Sequence, residues 1–268
     1  MNYRHAYHAG NFADVFKHIV LVELISALQQ KENPFLFLDT HAGAGVYDLS
    51  SEAAQKNKEY ENGIRKILSE EKIPDFLKKY VSCVRAFSGK EYPGSPLIAK
   101  KLLRPQDRMV LSELHPDEYV ALRKHFRNQK NAVYHEDAYQ SLKIFLPPKE
   151  RRGIILIDPP YEKKDELSKI NLGVKEALKR FETGVYAIWY PIKDSSPLKK
   201  LSNSIDRPML AAEFSIYPEN SPAHLNGCGM LIVNPPWMLK ESLEKILPWL
   251  WEKLSINKQG RFELISLN

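Results

Sequence analysis

The sequence predicts an α/β protein whose central sheet is mostly parallel and closes with an antiparallel hairpin. Three features predict this fold class: a series of short apolar runs, an acidic residue after each of the first four, and a final pair of runs too close together for a crossover helix. The chain has 268 residues, of which 43% are hydrophobic and 27% are charged. It can therefore bury a core, and an intrinsically disordered protein is excluded.

Four apolar runs are expected to form parallel strands that end at one edge of the sheet. The runs are residues 35–38, 109–111, 132–134 and 153–157, and the acids that follow them are Asp39, Glu113, Asp137 and Asp158. Ligands of open α/β sheets bind outside the carboxyl ends of the strands. We therefore expect these carboxylates to surround one ligand site.

Three later runs, at 184–189, 211–216 and 229–233, extend the sheet. The last two are separated only by residues 217–228, a connection rich in Pro, Asn, Ser and Gly, so they are expected to pair as an antiparallel hairpin. A mostly parallel sheet with such an ending resembles the class I methyltransferase fold, which is Rossmann-like. That resemblance implies the strand order 3-2-1-4-5-7-6.

The helical pattern divides the chain into three parts. Residues 1–46 hold an N-terminal helix, capped by Asn11 or Asp14 and running to about residue 30, and the first strand. Residues 47–91 form a small α-helical insertion, in which helical spacing at 59–71 and 75–87, separated by Pro74, predicts a hairpin. Residues 92–268 complete the main domain, and Ser95 is expected to cap a helix from 96 to 103.

Charge and cysteine content limit the partners and the compartment. Lysine and arginine number 39 against 33 acids, a net charge of +6 that favours an anionic partner such as nucleic acid. The only cysteines, Cys83 and Cys228, are far apart, which predicts no disulfide framework, no cysteine zinc site and a reducing cytoplasm. No apolar run is long enough to cross a membrane, and no secretory leader is recognisable.

The motif D-T-H-A-G-A-G at 39–45 directly follows the first predicted strand. Glycines such as Gly43 let the backbone approach a nucleotide or nucleoside closely. A dinucleotide fingerprint would need a third glycine at position 48, where Asp48 stands, so an NAD site is disfavoured. A tight turn without a ligand is the alternative.

Two of the strand-end acids suit parts of a nucleoside. Glu113 can accept two hydrogen bonds from the vicinal hydroxyls of a ribose, and Asp137 can accept from the exocyclic amine of an adenine. Taken singly, each acid is as well explained by a solvated loop or by a helix cap. Their shared edge favours the functional interpretation.

The most specific motif is D-P-P-Y at 158–161, after the apolar run at 153–157. The lone pair of an exocyclic adenine amine is delocalised into the ring, so the amine attacks only when acceptors bind its hydrogens. The Asp158 carboxylate and the Pro159 carbonyl can be those acceptors, and Tyr161 offers a ring on which an unstacked base can lie. Attack on a sulfonium methyl then depends mainly on positioning, with Asp158 as acceptor first and general base second.

A second copy of this motif, N-P-P-W at 234–237, follows the run at 229–233. If that strand is antiparallel to the first four, its end points away from the ligand edge. We therefore assign the catalytic role to Asp158 and a structural role to the second copy.

The histidines of the N-terminal part of the chain do not predict a metal site. They are His5, His8, His18 and His41, and their spacing imposes no ligand geometry. Contacts with nucleoside or RNA groups explain them better. Basic pairs at 100–101, 151–152, 163–164 and 199–200 can contact phosphates, although solvated surfaces explain such pairs as well.

Seven blocks together resemble the J-type 23S ribosomal RNA adenine-N6 methyltransferases of bacteria. They are Y-R-H at 3–5, H-A-G-N at 8–11, A-D-V at 13–15 with K-H at 17–18, D-T-H-A-G-A-G at 39–45, Y-P-G-S-P at 92–96, E-L-H-P at 113–116 and D-P-P-Y at 158–161. The resemblance runs nearly end to end and includes the late N-P-P-W.

This resemblance implies transfer of a methyl group from S-adenosylmethionine to N6 of one adenine in 23S rRNA. It implies Asp158 as the catalytic acceptor, Tyr3 as a substrate contact, and cofactor contacts at His18, His41, Ser95, Glu113, Asp137 and Ala138. The alanine at 138 stands where the family can have glycine, which still permits a backbone contact there. We expect a cytoplasmic monomer that binds 23S rRNA and has no metal and no membrane partner.

Three alternatives remain at this point. A DNA adenine-N6 methyltransferase would share the D-P-P-Y chemistry, but no separate sequence-reading module is apparent. An NAD-linked oxidoreductase would share the sheet. A non-catalytic RNA-binding protein would share the positive charge and would show no turnover.

Overall fold

The computed structural model describes residues 4–127, 132–193, 196–218 and 225–268. Ten strands lie within these ranges: β1 (Leu36–Asp39), β2 (Val46–Asp48), β3 (Glu91–Pro93), β4 (Arg108–Ser112), β5 (Val133–Tyr134), β6 (Gly153–Ile157), β7 (Val185–Ile192), β8 (Met209–Ser215), β9 (Gly227–Val233) and β10 (Phe262–Leu267).

Ten α-helices lie within the same ranges: α1 (Phe12–Leu28), α2 (Glu52–Asn57), α3 (Ile64–Leu68), α4 (Lys78–Arg85), α5 (Ser95–Leu102), α6 (Pro116–His125), α7 (Ala138–Phe145), α8 (Glu166–Arg180), α9 (Leu198–Ser202) and α10 (Leu239–Leu254). Short 3₁₀ helices occur at His5–Tyr7, Glu59–Asn62, Asp75–Leu77 and Ile256–Lys258. None of the described helices is long and apolar enough to cross a membrane.

Eight strands form one sheet in the order β10-β8-β9-β7-β6-β1-β4-β5. The strands β5, β4, β1, β6 and β7 are parallel, and β9 pairs antiparallel with both β7 and β8. Read from β5 to β8 and renumbered without the insertion strands β2 and β3, this order is 3-2-1-4-5-7-6, so the predicted fold class and its terminal hairpin are confirmed. The edge strand β10, antiparallel to β8, has no counterpart among the predicted strands.

Helices cover both faces of the sheet because the strand side chains alternate between two cores. Phe37 contributes to the core under α1, α5 and α10, whereas Leu36 and Leu38 contribute to the core under α7, α8 and α9. α1 begins at its N-cap Asn11, which accepts the Asp14 N–H, and is buried on nearly every side. Its apolar composition fits this central position between the sheet and the other helices.

The insertion between β1 and β4 is more broken than the predicted helical hairpin. β2 and β3 pair at its base, α2 is an added helix, and the expected helix at 59–71 is a 3₁₀ turn followed by α3. The break lies at Gly63, whose space for a Cβ is occupied by the Gly10 carbonyl oxygen at 2.1 Å. The Ile64 N–H donates to that same carbonyl at 2.8 Å. Contact with the N-terminal turn therefore overrides the helical spacing in the sequence.

We expect Gly63→Ala to lower the free energy of unfolding by about 1–3 kcal/mol, because the added methyl group must displace backbone atoms. The control is Gly89→Ala, since a Cβ there meets no atom within 4 Å. Urea unfolding of both variants measures the difference. Equal midpoints for the two variants would contradict the close contact between the insertion and the N-terminal turn.

Candidate functional site

The loops after the parallel strands surround one large cavity of about 1350 Å³. Three of the strand-end acids line it, namely Glu113, Asp137 and Asp158. The fourth acid, Asp39, is fully buried and bonded to Ser95, which lines the cavity. The insertion and the turn before α1 form the opposite wall. The structure thus brings the acids to one edge of the sheet, as the strand pattern predicts.

The turn after β1 places a glycine amide against Glu113. Gly43 has a φ of +62°, and a Cβ there would lie 2.2 Å from the Tyr47 hydroxyl oxygen, so the position requires glycine. The Gly43 N–H donates to one Glu113 oxygen at 2.8 Å, and the His115 N–H donates to the other at 2.6 Å. Burial raises the pKa of Glu113, and the two amides oppose that shift. The carboxylate is therefore fixed, with lone pairs left for further donors.

Ser95 does not cap α5, so that prediction is wrong. The N-cap is Gly94, and the Ser95 hydroxyl donates to the Asp39 carboxyl at 2.7 Å. Burial raises the pKa of Asp39 to about 7, although bonds from Ser95 and from the His41 N–H oppose the shift. A buried carboxyl group is costly unless donors bind it, and the Ser95 hydroxyl is one of the donors to Asp39.

Two histidines in the cavity wall, the buried His18 and the partly buried His41, are uncharged at neutral pH. Burial lowers the pKa of His18 to about 3 and that of His41 to about 4. His18 Nδ1 lies 2.8 Å from the Tyr92 hydroxyl. The Thr40 hydroxyl donates to the Leu156 carbonyl and so accepts from His41 Nδ1 at 2.9 Å, which leaves His41 Nε2 as an acceptor. Both rings thus offer polar contacts without a positive charge.

Asp137 both caps a helix and lines the cavity. Its Oδ1 accepts from the backbone N–H groups of Tyr139 and Gln140, at 2.9 and 3.2 Å. Ala138, the first residue of α7, is buried beside it in the cavity wall. The helix-cap alternative is therefore correct for Asp137, and its place in the wall is compatible with a ligand contact as well.

Asp158 follows β6 and forms an ion pair with a lysine of α1. Lys17 Nζ lies 2.5 Å from the Asp158 carboxylate and 3.0 Å from that of Asp14. Burial alone would lower the pKa of Lys17, but the two carboxylates together hold it well above its ordinary value. Because the Asp158 side chain is 18% exposed, it faces the cavity while its other side contacts the buried cation.

Asp14 connects this ion pair to the N-terminal segment. Besides Lys17, its carboxylate contacts His5 Nε2 at 2.8 Å and accepts the Gly10 N–H at 2.9 Å. Burial would raise the pKa of Asp14, but His5 and Lys17 lower it well below its ordinary value. The residues before α1 are therefore held against the same charges that contact Asp158.

Tyr161 and Trp189 form an aromatic corner beside Asp158. The Tyr161 hydroxyl donates to the Trp189 carbonyl at 2.7 Å, and the two rings meet edge to face at 5.8 Å. Tyr161 has a φ of +52°, a conformation that costs on the order of 1–3 kcal/mol for a bulky residue. The bond to Trp189 helps to hold that conformation, and Pro159 lines the cavity between Asp158 and this corner.

The second copy of the motif lies at the opposite edge of the sheet, as expected for an antiparallel strand. The Asn234 amide donates to the carbonyls of Glu182 and Gly184, both before β7. Trp237 is 92% exposed. The second copy therefore ends far from the cavity and stabilises a connection between strands.

Three residues of the site are missing from the predicted set: Lys17, Asp14 and Trp189. The first two have a signal in the sequence, because ionisable residues at 14, 17 and 18 interrupt an apolar helix at i, i+3 and i+4 spacing. Trp189 has no such signal.

Tyr3 lies outside the residues that the structure describes. The described residues contain no group of three side chains suited to a metal ion.

We expect Lys17→Met to lower the free energy of unfolding by about 3–5 kcal/mol at pH 7, because it leaves a buried carboxylate without its cation. Since the pKa of Asp14 is depressed in the folded protein, its stabilising effect is present above about pH 4 and is lost as the pH falls further. The difference between the variant and the wild type should therefore shrink in acid.

Urea unfolding at neutral and acidic pH measures this effect. The control is Lys245→Met, which removes an exposed i,i+4 ion pair with Glu241 and should change stability little at either pH. A Lys17→Met variant as stable as this control would show that the buried pair does not hold the site together.

Comparisons with known proteins place the chain in one family. The family model described as Ribosomal RNA large subunit methyltransferase D, RlmJ, matches residues 32–265. The chain is 44% identical over 263 residues to the Ribosomal RNA large subunit methyltransferase J of Escherichia coli, covering 95% of this chain and 94% of that protein. It is 42% identical over 264 residues to the protein of the same name from Haemophilus influenzae, with coverage of 95% and 94%.

A solved structure shows the same fold at similar coverage. A crystal structure of a Legionella pneumophila protein superposes with a TM-score of 0.88 at 36% identity, covering 97% of this chain and 98% of that one. Because the family model and both methyltransferase J relatives extend over nearly the whole chain, the chain belongs to the family of Ribosomal RNA large subunit methyltransferase D, RlmJ.

Proposed function

We propose that this protein transfers the methyl group of S-adenosylmethionine to N6 of one adenine in 23S rRNA. The family and its two relatives, named for methylation of large-subunit ribosomal RNA, support the reaction and the class of substrate. The observation that carries the choice of atom is the position of Asp158, Pro159 and Tyr161. They lie at the end of β6, in the same cavity as the Gly43–Glu113 turn.

The cavity wall around Glu113 fits the nucleoside part of such a donor. The Glu113 carboxylate is held by two backbone amides, so its remaining lone pairs can accept two ribose hydroxyls. Asp137 and Ala138 are suited to the adenine ring of S-adenosylmethionine. Ser95 and His41 are suited to the amino-acid part of the same molecule. When bound, the donor supplies a methyl group on a positively charged sulfur.

Local charge suits a cationic donor. His18 and His41 are neutral because burial lowers their pKa values, so they do not repel a sulfonium. Asp158 shares its cation, Lys17, with Asp14, and Asp14 also contacts His5. The cavity side of Asp158 therefore presents a carboxylate, which favours a nearby positive charge.

Asp158 serves first as a hydrogen-bond acceptor for the adenine amine. The ion pair with Lys17 holds its carboxylate in one position, and Pro159, with no N–H group, leaves a carbonyl available as the second acceptor. These two bonds localise the nitrogen lone pair for attack. The methylated amine then loses a proton to Asp158, and the exposed side of that carboxylate passes it to water.

Tyr161 is suited to stacking with the target base. Its ring is fixed by the hydroxyl bond to Trp189, so a base removed from its stack meets a prepared surface.

The cytoplasmic location and the monomeric state stay predictions.

We expect Asp158→Asn to lower the rate of methyl transfer by about 10²–10⁴-fold, because the amide accepts fewer bonds and cannot take the proton. The assay follows a labelled methyl group from S-adenosylmethionine to naked 23S rRNA. The control is Trp237→Ala, which removes the exposed aromatic of the second motif and should leave the rate unchanged.

The same assay with duplex DNA separates the nearest alternative. Transfer to DNA but not to RNA would establish the DNA methyltransferase, and an unimpaired Asp158→Asn variant would remove the catalytic assignment.

We expect Glu113→Gln to weaken the binding of S-adenosylhomocysteine by at least about tenfold, since hydrogen bonds to charged groups contribute about 1.5–3 kcal/mol. Calorimetric titration measures it, and the unliganded melting temperature checks that the variant is folded. The control is Asp117→Asn, which removes an exposed acid at the start of α6. Stabilisation by NADH, with none by S-adenosylhomocysteine, would instead favour an oxidoreductase.

A further inference from the structure

We infer that Lys163 and Lys193 bind the phosphates on either side of the target nucleotide, so that single-stranded RNA crosses the cavity mouth between the loops after β6 and β7. This inference rests on the proposed function and adds the part of the surface that binds the RNA backbone. It also specifies the form of the partner, because an adenine reaches Asp158 only when it is unpaired and removed from its stack.

Two sets of residues line the cavity. Glu113, Asp137 and His41 suit the cofactor. The aromatic corner and the two lysines suit a nucleotide, because a base that lies on Tyr161 extends its ribose and phosphates past the side chains around that ring.

Each lysine follows one member of the aromatic corner closely in the sequence: Tyr161 and Lys163 lie in the loop after β6, and Lys193 directly follows β7, which contains Trp189. Lys163 stands two residues after Tyr161, and Lys193 stands four residues after Trp189. β6 and β7 are neighbouring parallel strands, so their two loops emerge side by side at the carboxyl edge of the sheet. An aromatic residue for the base beside a cation for the phosphate is the combination that binds single strands without reading their sequence.

The charges of the neighbouring side chains leave these lysines available. Both are exposed and line the cavity, and neither has a hydrogen bond or ion pair through its side chain within the described ranges. Asp165 is already paired with Lys169 at 2.9 Å, and Glu162, the exposed acid that lines the cavity next to Lys163, has an interaction of its own. Across the mouth, Glu59 contacts His8 and Asn11.

The acid of the opposite wall cannot compete for the lysines. Glu59 contacts His8 Nδ1 at 2.9 Å and accepts from the Asn11 amide at 2.9 Å. The other polar residues that the insertion contributes to that wall, Asn57 and Asn62, carry no charge. An anion entering the mouth therefore meets two cations on one wall and, from the insertion, only a carboxylate that already has partners.

The test is the salt dependence of RNA binding. Fluorescence anisotropy follows a labelled single-stranded RNA with one central adenosine, titrated between about 50 and 200 mM salt. Because each phosphate contact contributes about 0.7 to the slope of log K against log salt, Lys163→Gln and Lys193→Gln should each reduce the slope by about 0.7, and the double variant by about 1.4. The control is Lys149→Gln, an exposed lysine before β6 at the other edge of the sheet, which should leave the slope unchanged.

Methyl transfer to 23S rRNA is measured on the same wild-type preparation. Its complete failure would overturn the proposed function. Transfer by the wild type, with wild-type slopes in the Lys163→Gln and Lys193→Gln variants, would overturn this inference alone. So would an equal loss of slope in Lys149→Gln, because binding would then depend on overall charge and not on the mouth of the cavity.

Discussion

Lys17 is a buried cation held between two carboxylates, and the geometry of the site depends on it. Each of these charges would be costly alone in the interior, so the three persist only in contact with one another. That requirement fixes α1 in rotation, because Lys17 and Asp14 must face the end of β6. It also fixes Asp158 in position, since its carboxylate is bonded on its buried side and free on its cavity side.

The same contact joins three parts of the chain that are distant in sequence. Asp14 bonds to His5 and to the Gly10 amide, so the segment before α1 is tied to the ion pair. The Gly10 carbonyl in turn accepts the Ile64 N–H of the insertion. The insertion therefore supports the wall opposite Asp158 through the backbone of the N-terminal turn, which explains why Gly63 interrupts the helical pattern there.

The parts of the structure that follow local rules could be predicted from the sequence. Apolar runs that end in acids gave the parallel strands, and the short connection after 216 gave the hairpin. The bonding of Ser95 to Asp39 could not be predicted, because it depends on how deeply the carboxyl is buried after folding. β10 was missed for a related reason: its side chains are partly exposed, and its pairing with β8 joins residues about fifty positions apart. Lys17 is recognisable in the sequence as a charged residue within an apolar helix. Its pairing with Asp158 could not be predicted, because Asp158 lies 141 positions away.

The two Pro-Pro motifs show why direction in the fold decides the role of a sequence pattern. Both follow buried strands, and both contain one non-glycine residue with positive φ, yet that residue is Tyr161, the last of the first motif, and Asn234, the first of the second. The two motifs therefore differ in backbone conformation although their sequences are similar. In the first copy the parallel strand delivers an acid to the edge where Glu113 and Lys17 already lie. In the second the antiparallel strand delivers an amide to the opposite edge, where its hydrogen bonds are taken by Glu182 and Gly184. The motif alone supplies only the hydrogen-bond acceptors. The chemistry at the first copy also depends on Glu113 from a neighbouring strand end and on Lys17 from α1.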